Sequence, residues 1–138
     1  MNWAATNYDD SDWEQVELPA SWEDHSGYTA DQVFGWYRKT IEIPKSWDDY
    51  GNSLLLPLGK IDDVDRTFFN GTEIGKSGSI PADDFRTAWT EHREYPLSMV
   101  DVNFGEKNTI AIKVYDEFGG GGLYAGPLGP LRLRSNHP

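Results

Sequence analysis

The chain has no cysteine, which excludes disulfides, thiolate metal sites and a cysteine nucleophile. It leaves the compartment open, because an all-β core of this size needs no covalent staple. Long apolar runs are missing too: nothing approaches the roughly 18 residues of a membrane span, and Met1-Asn2-Trp3-Ala4-Ala5 lacks the basic and apolar regions of a signal peptide. The chain as given is expected to be soluble, with any signal peptide of a longer precursor upstream. Positive charge is scarce, with 12 Lys and Arg against 23 Asp and Glu and a net charge of -11. Such a balance repels phosphate backbones and anionic headgroups, so the expected partners include no nucleic acid and no membrane, and a neutral ligand is the natural choice. Only three histidines occur, His25, His92 and His137, without an H-E-x-x-H pair or a G-x-S-x-G elbow. A metal cluster of histidines and a serine-hydrolase triad are thereby disfavoured.

What the chain does have is aromatic residues and chain breakers. Aromatics make up 14% of 138 residues and include six tryptophans, more than a single core of this size ordinarily requires. Eight prolines and 14 glycines punctuate the sequence too often for long helices. Between them, residues 40–43, 53–56, 109–114 and 131–134 alternate apolar and polar side chains, as half-buried strands with one face in water do. Short strands at regular spacing predict a single all-β domain, an antiparallel β-sandwich. Residues 82–89 fit either a helical turn or an extended loop. The sharpest local signal is residues 59–75, GKIDDVDRTFFNGTEIG, read as a strand, a turn and a second strand. Asn-Gly takes positive φ at both central positions of a type I′ turn most readily, so Phe68-Phe69 should pair with Thr72-Glu73-Ile74. The run from Gly71 to Ser77 imitates a phosphate loop but has Asn70 where the first glycine should stand. Asn70-Gly71-Thr72 also satisfies the N-glycosylation sequon, which the turn explains equally well.

Five segments in order resemble the sugar-binding domain of glycoside hydrolase family 2. They are YDDSDW with VELPASW (8–13 and 16–22), GWYRKTIEIP (35–44), the Asn-Gly hairpin, REYPL with KNTIAIKVYD (93–97 and 107–116), and the glycine-rich GGGGLYAGP (119–127). The resemblance covers nearly the whole chain and implies jelly-roll topology of the galactose-binding-like kind. It also implies that the chain is not itself an enzyme, since family 2 catalytic carboxylates sit in a barrel domain that follows the sandwich. The implied partners are a carbohydrate, oligo- or polysaccharide, and the catalytic domain of a parent hydrolase. A secreted or periplasmic location goes with such a parent. The IDD-x-D form of the hairpin is similar as well to the sandwich accompanying sialate O-acetylesterases, whose catalytic serine and histidine lie in a separate domain.

Candidate sites follow from the chemistry of sugar recognition, in which a pyranose face stacks on an aromatic ring while polar groups satisfy the hydroxyls. Trp36 and Tyr37 are adjacent on a strand, so one points inward and one outward. Trp89, Phe118 and Tyr124 fall in expected loops, where packing alone accounts less well for an aromatic. Each has an equally simple reading as core or lid. Asp116, before the glycine run, resembles an aspartate by which some family 2 sandwiches reach into the neighbouring active site, and is otherwise a turn carboxylate. Asp63 and Asp65 share one face of a strand and Asp62 the other, so structural ion pairs with Arg38, Arg66 or Arg93 are expected. The same carboxylates Asp62, Asp63 and Asp65, or Asp9, Asp10 and Asp12, are weak candidates for a structural calcium. The alternative to sugar binding is a structural domain that buttresses the catalytic domain without binding sugar, which an exposed apolar patch at one edge would favour, and a small glycosidase with an unrecognised carboxylate pair is the remote one.

Overall fold

Breakers and alternation translate into nine strands in the computed structural model, which describes residues 3–17, 34–62, 64–78, 92–115, 122–125 and 130–135. The strands are β1 (Glu14–Glu17), β2 (Phe34–Glu42), β3 (Leu55–Asp62), β4 (Val64–Phe69), β5 (Thr72–Ser77), β6 (His92–Pro96), β7 (Lys107–Tyr115), β8 (Gly122–Ala125) and β9 (Pro130–Ser135). They form a six-stranded sheet in the order β1-β9-β2-β7-β4-β5 and a three-stranded sheet in the order β6-β3-β8. Every strand pair is antiparallel, giving the all-β sandwich. Two 3₁₀ segments, Lys45–Ser53 and Met99–Asp101, touch each other at one end. The expected turn or loop at 82–89 lies outside the described residues.

The Asn-Gly hairpin forms as its sequence dictates. Asn70 and Gly71 have φ of 49° and 86°, the two left-handed values of a type I′ turn. Phe69 pairs with Thr72 and Phe68 with Glu73, after which a bulge shifts the register. The Asn70 side chain adds a tertiary role. Its Oδ1 accepts from the Thr109 amide at 2.8 Å, and its Nδ2 donates to the Asp101 carbonyl and to Asn108 Oδ1 at 2.7 and 2.8 Å. The sequon nitrogen is thus committed to holding the hairpin against β7.

Residues 59–69 are not one strand, as the alternation implied. The chain leaves β3 of the small sheet at Asp62 and enters β4 of the large sheet at Val64. Local alternation is blind to such a crossing, since it registers which side chains are apolar and not which sheet the backbone joins. Pro57 sits within β3 beside a bulge against β6 and beyond the short pairing with β8, the kind of irregular position to which proline in sheets is confined.

The inner core contains Tyr37, Leu56, Leu58, Ile61, Phe69, Ile110, Ile112 and Val114 between the sheets. A second apolar cluster lies on the outer face of the large sheet, where Trp3, Ala4 and Trp13 of the N-terminal segment cover Trp36 and Ala111. For this reason β7 departs from the half-buried pattern: all five residues from Asn108 to Ile112 are buried, because both of its faces are covered. The rings of Trp3 and Trp13 are 5.0 Å apart and those of Trp3 and Trp36 meet edge-on at 6.2 Å. Burying a ring of 150–250 Å² is worth roughly 4–6 kcal/mol gross at about 25 cal/mol per Å², enough to seat a short segment without regular structure.

Candidate functional site

Three constellations stand out, and they differ in what they can do. The first joins the two sheets. Asp65 of β4 and Arg93 of β6 form an ion pair at 2.8 Å, and neither side chain has any exposure. Thr67 Oγ1 donates to Asp65 Oδ2 at 2.8 Å, and Tyr95 Oη reaches both carboxylate oxygens at 3.0 and 2.9 Å. Ser77 Oγ lies 2.8 Å from the same phenol oxygen. Burial pushes the Asp65 carboxyl above the ordinary range, against the opposing pull of Arg93, Thr67 and Tyr95. Burial, then the Asp65 charge, raises the Tyr95 phenol as well. No substrate reaches a carboxylate so enclosed, so this network is a structural tie and not a pair for glycoside hydrolysis.

Glycine at position 75 is part of that tie. A β-carbon there would lie 2.3 Å from Tyr95 Cδ1, and the ring is held by its hydroxyl to Asp65 and Ser77. Gly75→Ala is therefore expected to cost about 1–3 kcal/mol by overpacking. Urea denaturation measures it, and a loss under about 0.5 kcal/mol would mean that the phenol swings aside without hindrance.

The second constellation anchors the N-terminal segment. Arg38 of β2 is buried on the outer face, where its guanidinium donates to the carbonyls of Trp3, Ala5 and Tyr8 and to Asp10 Oδ2, the last at 2.9 Å. Asp9 accepts from the Ser11 amide at 3.0 Å, which lowers its pKa. The acidic run 9–12 thus makes an arginine contact and a turn. Among the described residues no three acidic or histidine side chains converge as a metal site would require.

The third constellation is apolar. Trp47, Leu55, Met99 and Val100 are exposed, Val100 by 88%, on the two 3₁₀ segments and the adjoining start of β3. Pairing of Leu55 with Pro96 and the Leu97 amide bond to the Leu54 carbonyl bring these segments to one end of the sandwich.

Of the residues singled out in the sequence, Trp36 and Tyr37 lie on opposite faces of β2, yet both are buried, at 8% and 0% exposure. The outward ring is covered by Trp3, so neither presents a face to a sugar in this arrangement. Tyr124 belongs to strand β8 and not to a loop. Leu-Tyr between glycines is too short an alternation to read as a strand. Trp89, Asp116, Phe118 and Asp63 lie outside the described residues, as do the side chains of Asp62 and Tyr124. Asp65 meets Arg93, while Arg38 finds Asp10, a partner 28 residues away that no local pattern marks. An exposed apolar edge is what a buttressing domain would show, but the sequence did not name the residues that form it. Its one sequence signal is a tryptophan in the otherwise polar stretch KSWDDYGNS.

No protein-family model and no curated protein matches the chain. Solved structures do. A β-glucuronidase from glycoside hydrolase family 2 superimposes with a TM-score of 0.71 over 97% of this chain at 21% identity. The fold is that of a domain carried by family 2 glycoside hydrolases. A family 2 member from Bacteroides cellulosilyticus DSM 14838 matches with a TM-score of 0.66 over 94% of the chain at 23% identity. A Bacteroides uniformis β-glucuronidase matches with 0.69 over 94% at 21%. The chain spans 16%, 18% and 15% of the lengths of these three enzymes. Among the described residues no helix is long and apolar enough to cross a membrane.

Proposed function

We propose that this chain is a non-catalytic accessory domain of a carbohydrate-acting hydrolase, a glycosidase in the first instance, and that it docks on the catalytic domain through its exposed apolar end. The observation that carries this reading is the patch of Trp47, Leu55, Met99 and Val100. Exposed apolar residues gathered on neighbouring segments mark interaction surfaces, whereas scattered ones need no explanation. The occupant follows from size: the domain amounts to under a fifth of the enzymes that share its fold, so most of a comparable parent chain is available to cover that end. The glycosidase class comes from the names of those neighbours, none of which is an esterase, and the catalytic groups of such a parent would lie beyond this domain.

The test is reassembly in trans. The chain and the remainder of its parent polypeptide, produced separately, are expected to co-elute on size exclusion and to associate in calorimetry. Val100→Asp, fully outside the core, should leave stability within about 0.5 kcal/mol and abolish association. Association that survives Val100→Asp together with Trp47→Ala would refute the apolar end as the docking surface. Turnover of chromogenic glycosides by the chain alone would refute the accessory role.

A further inference from the structure

The outer face of the six-stranded sheet carries charge in an order that sheets ordinarily avoid. Directly paired residues share a face, so the register sets Trp36 of β2, Lys113 of β7, Arg66 of β4 and Lys76 of β5 in one transverse row. At about 4.8 Å between strands the row is roughly 14 Å long. Within it Arg66 stands opposite Lys113 on one side and Lys76 on the other. Like charges placed directly opposite destabilise a sheet, and this chain has 23 acidic residues against 12 basic ones from which to fill those positions. Three of the 12 basic residues nevertheless stand side by side here. At the far end of the same face the ordinary arrangement returns, with Lys107 opposite Glu42.

The described side chains show the consequence. Glu73 accepts from Arg66 Nε at 2.6 Å, and the Arg66 guanidinium remains half exposed over the Phe68 ring. Lys113 Nζ lies 6.0 Å from the Trp36 ring, on which Phe68 stacks at 5.9 Å. Burial, and then the charge of Arg66, draws the Lys113 ammonium below its usual pKa. Three cations thus stand on adjacent strands of one face, with Glu73 answering Arg66, a like-charge arrangement of the kind that folds retain at functional sites.

We propose that this row binds an acidic oligosaccharide, with carboxylate or sulfate groups along Lys113, Arg66 and Lys76 and the partly exposed Phe68 ring beside the sugar. The saccharide class rests on the accessory-domain reading; the demand for negative charge rests on the row itself. A net charge of -11 does not conflict with this. At physiological salt it is screened beyond about 8 Å, whereas the row acts at contact.

An amide-resolved NMR titration of the 138-residue chain tests the proposal, with trigalacturonate, a heparin-derived tetrasaccharide and cellotetraose as probes. At least one acidic probe should shift the amides around Arg66, Lys76 and Lys113, more weakly at high salt, and which one does so separates carboxylate from sulfate recognition. Cellotetraose should leave those amides in place. Lys76→Gln with Lys113→Gln should weaken acidic binding about tenfold or more at unchanged Tm, while Lys107→Gln keeps the original affinity. Silence of the row with both acidic probes, equal shifts with cellotetraose, or equal weakening by Lys107→Gln would overturn it. So would row variants that bind no saccharide but lose association with the rest of the parent chain, since the row would then be a protein interface. Acidic binding that persists while reassembly through the apolar end fails would sink the docking reading alone.

Discussion

Replacing Asp65 by alanine is expected to lower the stability of the sandwich by about 3–5 kcal/mol, the scale for a buried ion pair broken on one side. The cost arises from what is left behind. Arg93 has no exposure and would lose the carboxylate 2.8 Å from its Nε, while Thr67 and Tyr95 would lose the acceptor that both hydroxyls face. The pair is not itself a large net source of stability, because two charges removed from water repay their desolvation only through this set of contacts. Asp65→Leu combined with Arg93→Met should therefore recover much of the loss. Urea denaturation at constant m-value measures both, and a single variant within about 1 kcal/mol of the parent would show that water enters to solvate Arg93.

Arg38→Met should have a comparable effect by a different route, about 3–5 kcal/mol, because one buried guanidinium serves three carbonyls and a carboxylate. Here the damage is directional. The segment 3–13 holds no strand, and its links to the large sheet include this side chain and the cluster of Trp3, Trp13 and Trp36. Near-UV circular dichroism should lose the tryptophan couplets, and fluorescence should shift to the red as the rings meet water. A variant that keeps the near-UV signal and loses under about 1 kcal/mol would mean that ring packing alone seats the segment.

The architecture was largely legible in the sequence because its local signals agree with one another. Residues 109–114 alternate and lie within β7, and the Asn70-Gly71 pair has the φ values that its turn type requires. Long-range facts were not legible. β3 ends at Asp62 in one sheet and β4 begins at Val64 in the other, and nothing in IDDVD distinguishes a crossing from a continuous strand. Alternation set one of Trp36 and Tyr37 outward without saying which; the outward ring is Trp36, and the segment that covers it begins 33 residues earlier. Much of the aromatic excess that hinted at sugar platforms is spent on this second apolar layer. The apolar end escaped notice because Val100 is 45 residues beyond Leu55 and joins Trp47 and Leu55 only when two 3₁₀ segments come together. The cationic row was hidden for the same reason, since Lys113, Arg66 and Lys76 come from three different strands.

The strand order also governs how this domain can be made. β7 lies between β2 and β4, and β9 lies between β1 and β2. On a ribosome, β2 and β4 emerge long before the strand that joins them, and the large sheet gains its middle only after residue 115 and its far edge only after residue 135 have left the exit tunnel. Until then the emerging chain has the Asn-Gly hairpin as its main local refuge, with apolar strand edges open to neighbours. Chaperone demand, and the yield of any version trimmed at its C-terminal side, should be set by how soon β9 arrives.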